Sequence, residues 1–245
     1  MSSSHMPDPP AQGSYAELLS VNELSNAMVG KITEQIGRLI IEGELEPGDY
    51  LNTVELAKRF NTSRTPVREA LVCLGMKGLV TIVPQKRPFV SIFTAEEFQD
   101  IFVVWTNLLA LAAELAVKNA TEEQLRAIQD AGQAQELARK SGDIDAAFWA
   151  TMKFEDLIIE CSGNQALKRA CTPLRLPTLR LLRLFLKGDH YPDEAQAPNG
   201  GGQRLAEAFL ARDSRLVAEL LRSTASANIP DILHMTQAGN AAQPL

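Results

Sequence analysis

The sequence predicts a mainly α protein, an N-terminal winged helix-turn-helix domain followed by an antiparallel α-helical bundle domain. Three observations carry that expectation. Leu and Ala are abundant in 245 residues that are 45% hydrophobic, while aromatics are scarce at 6%. Two short amphipathic segments, parted by Asn61 and Thr62, precede two β-branched runs, "LVTIV" and "FVSIF". Beyond Phe93 the apolar period becomes helical and no strand signal follows.

The elements follow in order. Residues 1–20 are rich in Ser, Pro and Gly and are expected to form a disordered tail. The opening "MSSSHMPDPP" lacks the basic-then-apolar order of a secretory signal. A helix is expected from Val21 to Glu44, with Met28, Ile32, Ile36, Leu39 and Ile40 on its apolar face, stopped by Pro47 and Gly48. Thr53 is the N-cap candidate for a short helix carrying Leu56, Ala57 and Phe60. Ser63 caps a second, running to Lys77 with Val67, Leu71 and Leu74 inward, and Gly78 ends it. The β-branched runs flank "PQKRP" and read as a two-stranded hairpin with a basic tip. Thr94 and Glu97 then have capping-box spacing. Helical blocks are expected over 94–118, 121–141, 143–161, 164–187, 203–211 and 213–228, joined mostly by short breaks, as in an antiparallel bundle. With a boundary near Phe93, the chain divides into a tail (1–20), a winged helix-turn-helix domain (21–93), a helical effector-binding and dimerisation domain (94–229) and a flexible tail (230–245).

Composition narrows the function classes. No segment approaches the roughly 18 consecutive apolar residues of a membrane span, so no membrane partner is expected. Cys73, Cys161 and Cys171 sit in apolar contexts without CxxC spacing, which fits reduced core residues and a cytoplasmic location. No nucleophile–base pair, phosphate loop or metal constellation is visible, so an enzyme is not expected. The formal net charge is -6, yet it is uneven. Residues 25–93 hold nine Lys/Arg and seven Asp/Glu, net +2; residues 94–229 hold fifteen and nineteen, net -4. Local positive charge is what steers a protein to DNA.

The stretch "TSRTPVREAL", Thr62 to Leu71, concentrates that chemistry. Helix, short turn, helix and hairpin is the order in which the second helix enters the major groove N-terminus first. A helix N-terminus offers free N–H groups and partial positive charge to phosphate. Ser63 and Thr65 can hydrogen-bond phosphate oxygens, and Pro66 fits a first turn. Arg64 and Arg68, four apart, share one face, and Arg reads guanine O6 and N7. Lys86 and Arg87 at the hairpin tip can reach an adjacent groove or backbone. The competing reading is a solvated helix whose arginines pair with Glu69 or Glu55.

The run "LEPGDYLNTVELAKRFNTSRTPVREALVCLGMKGLVTIVPQKRPFV" closely resembles the DNA-binding domain of the GntR family of bacterial transcription regulators. The helical remainder resembles the ligand-binding (FCD-type) domain of the FadR-like branch, through "FEDLIIECSGN" and "AFLARDS". The resemblance covers about 35–228. It implies that Arg64, Thr65 and Arg68 contact groove and phosphate with Ser63 at the cap, and that Gln85 and Lys86 of the wing touch the minor groove. Family wings usually carry a Gly near the tip, where this chain has "PQKRP".

Many FadR-like ligand domains hold a divalent metal through an Asp and three His. The matching positions here are Thr151, Glu155, Gly202 and Thr224, so no metal and no other cofactor is expected. The alternative is a metal held by Glu155, Asp156 and the loop residue His190, which two carboxylates serve poorly. Where the family often has an Arg and a Glu facing the pocket, this chain has Trp105 and Leu109. Together with Phe154 these either line an apolar effector cavity or simply fill it. The candidate effector site therefore comprises Trp105, Leu109, Thr151, Phe154, Glu155 and Arg180. In "LRLPTLRLLRLF", Arg175, Arg180 and Arg183 either point inward, where one could hold an anionic group, or are solvated or paired with surface carboxylates. The expected function is a bacterial DNA-binding transcription regulator, a repressor, whose bundle binds a small apolar, aromatic or acyl effector that alters operator binding. Its partners would be a double-stranded DNA operator, a second copy in a homodimer and that effector. The alternative is an effector-blind DNA-binding dimer whose bundle only dimerises.

Overall fold

The computed structural model describes residue 19, residues 27–187 and residues 201–223. Of the expected tail 1–20 only Leu19 is described, and it is buried in the core against Gly37 rather than loose. The remaining expectations for both tails, and for His190 and Thr224, lie outside the described residues.

Helix α1, Ala27–Glu42, buries Val29, Ile32, Ile36, Leu39, Ile40 and Ile41. It ends at Gly43, whose left-handed φ of 74° lets Glu44 and Leu45 both donate to the Leu39 carbonyl. Helix α2, Thr53–Arg59, is capped by Asn52, not by Thr53. The Asn52 side chain accepts from the Val54 N–H and donates to Glu55, so Thr53 is the first helical residue. Asn61, at φ 48°, turns the chain into α3, Arg64–Met76, which buries Val67, Ala70, Leu71 and Leu74.

The wing is smaller and better supported than a two-stranded hairpin. Its strands are two residues each, β1 (Val80–Thr81) and β2 (Phe89–Val90), antiparallel with Val80 opposite Val90. Residues 48–51, expected only to turn, add a third edge. Tyr50 bridges Phe89, Val90 donates to the Asp49 carbonyl, and Leu51 donates to that of Pro88. The left-handed Gly48 permits this sharp change of direction.

The bundle comprises α4 (Ala95–Asn119), α5 (Glu122–Ser141), α6 (Ile144–Cys161), α7 (Gln165–Lys187), α8 (Gly201–Leu210) and a last helical stretch, 214–223. Thr94–Glu97 and Thr121–Gln124 form full capping boxes for α4 and α5, and Asp143 caps α6. α4 is long and apolar enough to cross a membrane by length and composition. Here it packs against α6 and α7, burying Trp105, Ala112, Ala113 and Ala116. α7 runs unbroken through Pro173 and Pro177 although each removes a backbone donor.

Two apolar cores result. One lies within the bundle, around Trp105, Ala113, Ile128, Phe154, Ile158 and Phe209. The other joins the winged helix to the bundle: Ile32, Ile36, Leu71 and Leu74 share it with Phe148 and Met152 of α6 and Leu176, Leu179 and Leu186 of α7.

Candidate nucleic-acid interface and effector site

At the start of α3, Ser63, Arg64, Thr65 and Arg68 are all exposed. Ser63 occupies the N-cap position in extended backbone, but its hydroxyl makes no capping bond. The first N–H groups of the helix and this hydroxyl are therefore available to an acceptor from outside. Among the described residues neither Arg64 nor Arg68 has an ion-pair partner, and Glu55 accepts from Asn52 instead. The solvated, self-paired reading of these arginines thus loses its proposed partners.

The far end of α3 seats the wing. A Cβ added to Gly75 would lie 3.4 Å from the Val80 carbonyl and 3.5 Å from Ile82. At the tip, Lys86 N–H donates to the Val83 carbonyl across a turn with Pro84 and Gln85 at its centre. Gln85 stands there at φ 63°, the left-handed position that glycine would occupy at least cost. Gln85, Lys86 and Arg87 are exposed.

In the bundle, Trp105, Leu109 and Phe154 are buried in one cluster. Phe154 lies against Gly132 of α5, where an added Cβ would come within 3.3 Å of the ring. Thr151 is occupied: it accepts from the Gln135 amide at 2.9 Å and donates to the Ala147 carbonyl. Glu155 is paired with Arg175, and the Trp105 indole N–H stands 3.5 Å from its other oxygen. Arg175 also donates to the Met152 carbonyl and to Asp156, and its guanidinium lies 5.3 Å from the Trp105 ring. Burial pushes the Glu155 carboxyl above its ordinary range, a rise that Arg175 opposes.

Sequence reasoning kept Arg175 out of this site and left a solvated position open for all three arginines. All three are buried, at 6%, 3% and 8% exposure for Arg175, Arg180 and Arg183. A signal was available: α7 contains no acidic residue, so any partner had to come from another element. Arg183 pairs with Asp145 and lies over Phe148. Arg180 does not join the Glu155 group. It donates to the Ser91 carbonyl at the wing.

The positions at which related domains hold a metal do not fit one here. Thr151 is a hydroxyl engaged with Gln135, Glu155 is committed to Arg175, and Gly202 has no side chain. Among the described residues no three His, Cys, Asp or Glu side chains cluster.

A helix-turn-helix with a small wing, carried on a helical bundle, is the architecture of a class of DNA-binding regulators. Residues 29–90 match the bacterial regulatory proteins of the gntR family, and residues 100–226 match the FCD domain. The chain belongs to the GntR family, in the FadR-like branch with a C-terminal FCD domain. It is 31% identical over 135 residues to the HTH-type transcriptional regulator YdhC of Bacillus subtilis, covering 55% of this chain and 60% of that one. It is 27% identical over 138 residues to the transcriptional repressor RspR of Escherichia coli, covering 55% and 60%. The aligned region thus spans about three fifths of the length of these relatives. A solved GntR regulator from Rhodococcus shares the fold, with TM-score 0.70 at 16% identity over 85% of this chain and 99% of that one.

Proposed function

We propose that the chain is a cytoplasmic, homodimeric repressor that reads a two-fold operator. A single recognition helix contacts too few base pairs for specificity, so two copies on two half-sites are required. Residues 21–93 read DNA; residues 94–229 bind effector and dimerise. Ser63, Arg64, Thr65 and Arg68 meet the major groove and its phosphates, and Gln85, Lys86 and Arg87 meet the minor groove or backbone. The observation that carries this reading is the pair of exposed arginines without ion-pair partners at the start of α3, beside a cap hydroxyl not used by its own helix. The similarity to a relative named a repressor supports the sign of regulation. Arg64→Ala or Arg68→Ala is expected to weaken specific binding by about 1–3 kcal/mol with the fold intact. Gel-shift titration at fixed salt measures this, and unchanged affinity in both variants sinks the assignment.

The effector site is built around Trp105, Leu109, Thr151, Phe154 and Glu155, with Arg175 in place of Arg180. The side chains of Trp105, Leu109 and Phe154 suit an aromatic or acyl body, and the Glu155–Arg175 pair offers one polar anchor. A second reading, an effector-blind dimerisation bundle, is favoured by the burial of Trp105, Leu109 and Phe154 in the protein's own core. A ligand screen by melting temperature separates the two, with indole fluorescence in a Trp149→Phe background reporting on Trp105.

A further inference from the structure

Arg180 is a cation held in the interior, and among the described residues it has no carboxylate partner. It is 3% exposed, and burial alone lowers its pKa to about 10. Moving a guanidinium out of water is costly unless something specific holds it. Among the described residues two groups do so, both from the end of the wing. Arg180 Nη1 donates to the Ser91 carbonyl at 2.7 Å across 89 residues of chain, and the guanidinium lies 5.6 Å from the Phe93 ring.

Ser91 is the residue that closes the wing. Its N–H donates to the Leu79 carbonyl, and its hydroxyl meets that of Thr81 at 3.0 Å. It thus ties the start of β1 to the end of β2, five residues from Lys86 at the tip. The strands themselves are two residues each, joined on one side by the short edge at 48–51 through Tyr50, Asp49 and Leu51. So short a hairpin is marginal without outside support. One turn before Arg180, Pro177 of the same helix comes within 4.0 Å of a Cβ placed on the left-handed Gly78, just ahead of β1.

We propose that Arg180 is a wing-positioning residue for DNA binding: from the bundle it fixes the wing through the Ser91 carbonyl and so sets where Lys86 and Arg87 meet DNA. The proposal rests on the reading that the wing tip contacts phosphate. α7 also carries Arg175 beside Trp105 and Glu155, so one helix holds both the candidate effector site and the wing.

The test uses the full chain and a duplex enriched from a random-sequence pool by the parent protein. Binding is measured by fluorescence anisotropy across a potassium chloride series. Replacing Lys86 and Arg87 together by Ala in both protomers lowers the slope of log affinity against log salt by about 3.6, at roughly 0.9 for each of the four phosphates no longer neutralised. Arg180→Met, which keeps an apolar stem but no donor, lowers the slope by a similar amount, and combining it with the tip variant adds nothing further. Arg180→Lys, which keeps a charged donor, restores part of the slope. Hydrogen exchange in the absence of DNA gives an independent reading: in Arg180→Met the Val90 and Ser91 amides exchange faster while those of α3 do not. A parent-like slope in Arg180→Met with the tip effect intact overturns the proposal and spares the wing reading. So does a decrease that adds in full to the tip variant, or exchange raised equally in α3, since either marks general destabilisation. A tip variant with the parent slope overturns the wing reading itself, and the proposal with it.

Discussion

Gln85 occupies a backbone position at φ 63° in the wing turn, and a side chain with a Cβ is strained there by about 1–2 kcal/mol. Gln85→Gly relieves that strain but loosens the unfolded chain by about 0.4–1 kcal/mol. The expected net result is a gain of about 0.5 kcal/mol in urea unfolding; a decrease would show that the turn holds Gln85 by interactions worth more than its strain. Glu155 makes a second prediction at this scale. Burial raises its carboxyl in the folded chain above the ordinary value near 4.5. Such a group binds its proton more tightly when folded, so its stabilising contribution is full below that value and is lost as pH rises through the folded pKa. The stability of the parent relative to Glu155→Gln is therefore expected to fall with rising pH above about 4.5. Urea midpoints at several pH values measure it, and a flat or rising difference contradicts the assigned shift.

The helices of the bundle begin where local chemistry sets their ends. Thr94 Oγ1 accepts from the Glu97 N–H at 3.1 Å, and the Glu97 carboxylate accepts from the Thr94 N–H at 2.7 Å. Thr94→Ala removes one arm of this box at the first turn of α4 and is expected to cost about 1 kcal/mol in urea unfolding. Such signals were legible because they act over three residues: Thr94 and Gly78 fall where the spacing put them, and Ser63 takes the N-cap position without making the capping bond. Thr53 was displaced by its neighbour Asn52, whose longer side chain reaches the Val54 N–H. The third edge of the wing, 48–51, was hidden because Pro47 and Gly48 mark a turn while saying nothing of the strand it delivers. α7 is the opposite case. It keeps its helix through Pro173 and Pro177, with Leu167 and Cys171 in the bundle core and Leu176, Leu179 and Leu186 in the core beneath the winged helix.

At the scale of the whole molecule, that shared core binds the two regions together. Phe148, Met152, Leu176, Leu179 and Leu186 bury the apolar faces of α1 and α3, and each fully buried large side chain contributes about 1.5–3 kcal/mol. A fragment ending at Phe93 is expected to melt well below the full chain or without a cooperative transition, while the full chain unfolds its winged helix and α7 together. Calorimetry and circular dichroism on both proteins check this; a fragment as stable as the parent refutes it. By itself, the sequence determined the mainly helical architecture, the Thr94–Glu97 capping box and the place of the helix that starts after Ser63, because periodicity, caps and turn residues act within a few positions along the chain. Only the tertiary structure decided that Arg175 lies against Trp105 and Glu155, that Arg180 reaches Ser91, and that the winged helix borrows its core from α6 and α7. Those outcomes depend on which groups lose water together, and the residues concerned are 20 and 89 positions apart in the two arginine interactions. Desolvation is set by packing across the fold, and no local pattern carries it.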